Sequence, residues 1–299
     1  MTFIDYAILI SVLFSATVQG IFAKEYFVKA KHSSPVVYSL CTVVFALIFF
    51  VISGLGSLDF SPILKYLPYS LAFAAAYGTA TCGSKLALKH GPMALGTLFG
   101  ACSLLIPTVL GIIVLGDEMP SAVRIAGLVV LLVSLAVANL KKEDARITFL
   151  WVIFVLMNII GNGFCSFTQA AQVKFQKGLY GNEFMITSLA LVAIILACIA
   201  IFGKGQKTQE QSVGFVTYLR ESKLWIFGIL AGLANGYTNL MVMQLVARNV
   251  PQSVIQPTVS AGGLVLTVAA AVLLYKEKQS KAKIISFALG AVSLVLLNI

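Results

Sequence analysis

The side chains best placed to bind something in this chain are amides and hydroxyls set inside apolar runs. Asn158, Asn162, Gln169 and Gln172 follow one another at intervals of four, seven and three residues, which places them on one face of a helix. Asn235, Tyr237 and Gln256 lie in later apolar runs, and Gln19, Tyr77 and Thr97 in earlier ones. Such groups donate and accept hydrogen bonds without carrying charge, so they suit recognition of a small polar molecule rather than bond-making chemistry. The candidate substrate-binding set is Gln19, Tyr77, Thr97, Asn158, Asn162, Gln169, Asn235, Tyr237 and Gln256. The plainer reading is that amides tie helices together, at roughly 1 kcal/mol or less each.

What the apolar runs lack narrows the chemistry further. No Asp or Glu sits in the middle of one: Asp5, Glu25, Asp117, Glu118, Glu183 and Glu277 all lie near ends. His32 and His90 stand alone in short hinges, so the clustered acids or histidines of a membrane enzyme are missing and no catalytic residue is expected. Gly203-Lys204-Gly205 lacks the glycine-spaced loop and following Ser/Thr of a nucleotide-binding motif. Cys41, Cys82, Cys102, Cys165 and Cys198 fall in apolar runs without a CxxC pair, and read as small buried hydrophobes rather than metal ligands or disulfides. No cofactor and no metal is expected. Lys24, Lys85 and Lys174 are the deepest cations, read first as side chains snorkelling to headgroups.

The elements that hold these residues are long apolar helices. With 299 residues, 59% of them hydrophobic and only 11% charged, the chain has too little polar surface for a soluble globule. Its net charge of +10 sits mainly in hinges, where it meets anionic headgroups, and no basic patch interleaved with aromatics speaks for nucleic acid. A bilayer core of about 30 Å takes about 20 apolar residues, and ten stretches qualify: residues 3–24, 35–53, 69–89, 92–116, 121–140, 147–177, 182–202, 224–247, 251–275 and 281–298. A softer segment, 59–68, precedes the third. The first stretch has no basic flank or clear cleavage site, so it is expected to stay as a helix. In the one long polar insert, 203–222, Val213, Val216 and Leu219 recur every three residues and suggest a short interfacial helix.

The text also repeats itself. Lys89 to Asn139 returns as Arg248 to Asn298, with Pro92, Thr108, Glu118, Ser121 and Asn139 matched in constant register by Pro251, Thr267, Glu277, Ser280 and Asn298. Within that stretch Thr97 meets Gln256, and upstream Phe14, Gln19 and Lys24 meet Phe164, Gln169 and Lys174. The expected fold is an all-α membrane protein of ten transmembrane helices in two five-helix repeats, 1–140 and 147–299, joined by the hinge 141–146. Five crossings is an odd number, so the two copies are inverted, with a site between them near the midplane. Helices five and ten hold little that is polar and are expected to face lipid or the second subunit of a homodimer. Glycines on the other helices, among them Gly161, Gly163, Gly228, Gly232, Gly236, Gly262 and Gly263, read mostly as close packing.

With that plan, Pro107, the run Leu115-Gly116-Asp117-Glu118 and Gly127 nine residues beyond the glutamate resemble the EamA-type branch of the drug/metabolite transporter superfamily. The chain departs from it in lacking a tryptophan-glycine pair in helix one and in carrying Ser286 opposite Gly127. The resemblance implies a multi-pass carrier that exposes a central cavity to each side of the cell membrane in turn. The expected cargo is a small polar metabolite: an amino acid, a related zwitterion or a weak anion. A lipid flippase or a small-cation or drug exporter is the competing reading, weakened for cations by the missing carboxylates at depth. Most of the 21 basic residues fall in hinges after odd-numbered helices, which by the positive-inside rule places both termini outside, whereas the family usually has them inside.

Overall fold

The computed structural model describes residues 1–90, 102–138, 148–202, 215–273 and 281–299. Thr97, with Pro92, Gly96, Phe99, Gly100, Glu277 and the hinge 141–146, lies outside the described residues.

Where helices begin, short polar side chains collect the free N–H groups of the first turn. Thr2 and Asp5 form a reciprocal capping box at the start of α1 (Phe3–Lys29). Ser34 caps α2 (Pro35–Ser53), whose first residue is a proline that has no N–H to satisfy. Thr148 accepts from the Trp151 N–H at 3.2 Å to start α6 (Phe149–Phe175). The other helices are α3 (Ile63–His90), α4 (Leu105–Leu115, entered from a 3-10 turn at Cys102–Leu104), α5 (Ala122–Ala138), α7 (Gly181–Phe202), α8 (Ser222–Ala247), α9 (Gln252–Leu273) and α10 (Lys281–Asn298). A single helical turn, Phe215–Leu219, precedes α8, and Val216 and Leu219 of the expected interfacial helix fall in it. No strand occurs among the described residues.

Two boundaries differ from the sequence reading. Helix α3 starts at Ile63 rather than Tyr69 and runs through Pro68, because the added turn buries Tyr66 in the core. Helix α1 continues past Lys24 to Lys29, where Lys29 pairs with Glu25 one turn earlier.

Among the described residues five helices, α1, α2, α6, α7 and α8, are long and apolar enough to cross a bilayer, and the outward surface is apolar in turn, with Ile113 and Val295 among its exposed side chains. The fold is that of an all-α membrane protein. Inside it, α3 packs along α6 and α1 along α8; α8 also lies on α2, α3 on α7, α2 on α7, α1 on α9, α4 on α6 and α9, and α5 on α10.

Missing side chains allow the closest of these approaches. Gly228, Gly232 and Gly236 recur every fourth residue on α8 and face Cys41, Phe45 and Phe49, which recur at the same interval on α2. A Cβ on Gly236 would stand 2.6 Å from the Phe49 ring. Between α3 and α6, Gly161 lies against the backbone of Ala76 and Ala80, and Gly83 lies under Asn158, so the two main chains nearly touch. Helices α5 and α10 pair with each other within the chain: the Ser134 hydroxyl donates to the Ser286 carbonyl at 2.7 Å and the Ser286 hydroxyl to the Ser134 carbonyl at 2.8 Å. Their few polar groups are thus used internally, and Val129 and Val292 face outward.

Candidate functional site

Four of the nine predicted residues converge on one cavity. It measures about 360 Å³ and is lined by Val43, Phe73, Tyr77, Ser103, Asn162, Cys165, Ser166, Gln169, Leu189, Asn235 and Asn239. Val43, Tyr77, Asn162 and Asn235 each fall at the middle of their helices, α2, α3, α6 and α8, so the cavity sits at mid-depth. Phe73 and Tyr77, one turn apart on α3, stack with ring centroids 6.4 Å apart and form an aromatic wall. No charged side chain contributes to the lining among the described residues.

An ordered series of hydrogen bonds runs away from this cavity. The Gln169 amide nitrogen donates to the Asn239 carbonyl and side-chain oxygens at 3.3 and 3.2 Å, linking α6 to α8. Asn239 donates to Asn235 one turn back, Asn235 donates to the Gln19 side chain on α1 at 3.0 Å, and Gln19 donates to Thr238 at 2.9 Å. Thr238 donates to Ser15, which closes the series on the Ala234 carbonyl. Gln19 therefore stands behind the lining, holding Asn235 in place. Asn158 does the same for Asn162, accepting its amide N–H groups at its own carbonyl and side-chain oxygens, 3.0 and 2.7 Å away.

The remaining candidates separate. Tyr237 is outside the lining, and Gln256 contacts Gln252 on its own helix at 3.5 Å. Thr97 is outside the described residues. Gln172 donates to the Leu179 carbonyl in the turn after α6. The aromatic residues Phe14 and Phe164 are 58% and 43% exposed on the outer surface and away from the cavity. Cys165, read as a buried hydrophobe, lines the cavity with its thiol directed at the Phe73 carbonyl at 3.6 Å. All five cysteines are free, and Cys198 is exposed.

Charged residues gather instead at the end of the molecule where the chain termini meet, tied by the Tyr6 hydroxyl and the Asn298 carbonyl at 3.4 Å. A cleft of about 490 Å³ there is lined by Asp5, Asp117, Glu118, Arg124, Lys174 and Arg248 together with apolar neighbours. Arg248, just past α8, donates to the buried Asp5 carboxylate of α1 at 2.5 Å. Lys174, near the end of α6, pairs with the buried Asp117 and also donates to the Leu115 carbonyl at 3.3 Å. Gly116, in a left-handed conformation at φ 68°, ends α4 and turns Asp117 inward, and the second Asp117 oxygen accepts the Gln252 N–H at the start of α9 at 2.8 Å. Lys174 is therefore ion-paired rather than snorkelling. Nothing in the local spacing signals either pair, since their members stand 57 and 243 residues apart.

A further hollow of about 380 Å³, lined by Val173, Leu240, Met243 and Gln244 among others, lies one turn beyond the Gln169–Asn239 bridge along α6 and α8. Among the described residues no group of three or more His, Cys, Asp or Glu is placed to hold a metal ion.

Neither a family model nor a curated protein matches this sequence. Among solved structures 28 chains do. One, described only as a crystal structure of a protein, superimposes with a TM-score of 0.74 over 99% of this chain and 96% of its own, at 14% sequence identity. That likeness is one of fold.

Proposed function

We propose that this chain is a secondary active or facilitative carrier that moves a small polar metabolite across the cell membrane by alternating access. The observation that carries the reading is the mid-depth cavity, lined by Tyr77 from the first half and by Asn162, Gln169 and Asn235 from the second. A polar, uncharged chamber between helices at mid-depth is where inverted-repeat carriers hold their cargo. Both charged pairs at the terminal end join one half of the chain to the other, Asp5 to Arg248 and Asp117 to Lys174. In this reading they are the closed gate of that face.

The helix pairings support a ten-span inverted repeat. If helices one to five correspond to six to ten, exchanging the halves turns α1 on α8 into α6 on α3, α2 on α8 into α7 on α3, and α1 on α9 into α6 on α4. All six pairings occur. The crossing of α5 and α10 brings Gly290 to the Ser134 hydroxyl, and Gly290 is the counterpart of Leu131 at the offset of 159 residues, so the pseudo-twofold runs near that contact. Membership of the EamA-type drug/metabolite transporters fits this architecture together with the Leu115-Gly116-Asp117-Glu118 turn. The charge bias of the hinges favours termini outside.

Counterflow in proteoliposomes tests the proposal. Vesicles loaded with amino acids and other small metabolites should take up labelled members of the set without an ion gradient, saturably, and more weakly in Asn162→Ala and Asn235→Ala. Absence of saturable entry, with the protein shown folded, would remove the carrier reading.

A further inference from the structure

We infer that the central cavity takes an uncharged molecule rich in O–H or N–H donors, and rejects anions and zwitterions. The inference rests on the carrier reading of that cavity and narrows its cargo. It follows from which end of each amide faces the open space. A backbone carbonyl can only accept a hydrogen bond, so an amide touching one must present its nitrogen there. The Gln169 nitrogen is fixed in this way on the Asn239 carbonyl and the Asn162 nitrogen on the Asn158 carbonyl, while the Asn239 nitrogen is held on the Asn235 carbonyl at 2.9 Å.

With those nitrogens occupied, the side-chain oxygens of Asn162 and Gln169 are left to face the cavity as acceptors. Gln169 is buried, yet no bond to its side-chain oxygen occurs among the described residues. Asn235 keeps one N–H beyond its bond to Gln19, and the hydroxyls of Tyr77, Ser103 and Ser166 rotate to suit the occupant. An anion here would meet fixed carbonyl oxygens and, among the described residues, no cation on the lining, although stripping an ion of water costs several kcal/mol unless a partner replaces it. A zwitterion carries the same unmatched carboxylate. A cation would find acceptors and the Phe73–Tyr77 wall but, among the described lining residues, no carboxylate to balance it. An uncharged polyol, sugar or nucleoside satisfies the acceptors with its own donors and lays its less polar face on that wall.

The test is counterflow through full-length protein in vesicles with five labelled solutes: myo-inositol, uridine, serine, lactate and ethanolamine. Saturable entry is expected for inositol or uridine, and the two separate a polyol-like cargo from a heterocyclic one. Gln169→Leu should lower that entry about fivefold or more, the worth of one lost hydrogen bond. Because Gln169 also joins α6 to α8, Asn162→Asp provides a second reading: a negative charge on the lining should shift preference from the uncharged solute to ethanolamine. Wild-type entry of serine, lactate or ethanolamine in place of the uncharged solutes, abolished by Asn162→Ala, would overturn the assignment and leave the carrier standing. Entry of none of the five through folded protein would overturn both.

Discussion

The amide series from Gln169 to Ser15 is directional, each member donating to the next, and this divides its residues between contact and support. Asn162 lines the cavity and Asn158 only holds it. Asn158→Ala is therefore expected to weaken binding less than Asn162→Ala, as measured by the concentration for half-maximal counterflow; equal losses would place Asn158 on the cargo instead. Gln169→Leu should also lower thermal stability, by about 1–3 kcal/mol, because it strips the part-buried Asn239 acceptors of their donor. Helical spacing was enough to put Asn158, Asn162, Gln169 and Gln172 on one stripe, since the 3.6-residue period is a property of the backbone. It could not say which members of the stripe meet open space and which do not: Gln172 ends on the Leu179 carbonyl in the turn after its helix, and on other helices Tyr237 and Gln256 lie outside the cavity lining. That depends on neighbours far away in sequence.

Between elements, contact distance is set by glycine. Gly232 on α8 faces the Phe45 side chain and the Thr42 carbonyl, where a Cβ would stand 2.5 and 2.7 Å away. Neither neighbour can retreat, because both belong to the packed α2. Gly232→Leu should thus lose folded protein in detergent, and Gly161→Val should do the same through α3. Gly263, with nothing within 4 Å of a Cβ, should accept alanine with unchanged or slightly raised melting temperature, as alanine is the better helix former by about 1 kcal/mol. If Gly263→Ala proved as damaging as Gly232→Leu, close packing would not be what these glycines do. Their even spacing on α8 was readable as packing from the sequence. Their partners were not: Gly161 is wedged against α3 and Gly163 against Ile106 of α4.

At the scale of the whole molecule, two sequence halves are joined at the terminal face by ion pairs whose acids are buried and whose cations come from the other half. Removing one member of a shielded pair costs more than removing both, since the survivor is left charged without a partner. Lys174→Met alone should destabilise the protein by about 3 kcal/mol, and adding Asp117→Asn should recover part of that loss in thermal unfolding. No recovery would mean that the pair does not hold the face together. The proposed duplication reads from the matched prolines, glutamates and asparagines, since copies of one unit would fold by the same local rules. The two pairs do not, for no copy contains both members: Asp117 corresponds to Lys276 in the second half, and Asp5 to Val155. If one cavity is reached from each side in turn, as proposed, Cys165 on its wall reports it directly. In a chain that keeps Cys165 alone among the five cysteines, a membrane-impermeant thiol reagent would be applied to each face of sealed vesicles of known orientation. Labelling from the terminal face should be slow in the native protein and several-fold faster in Lys174→Met with Arg248→Met, while labelling from the opposite face should fall. Rates that rise together on both faces, or that ignore the ion pairs, would contradict alternating access at this site.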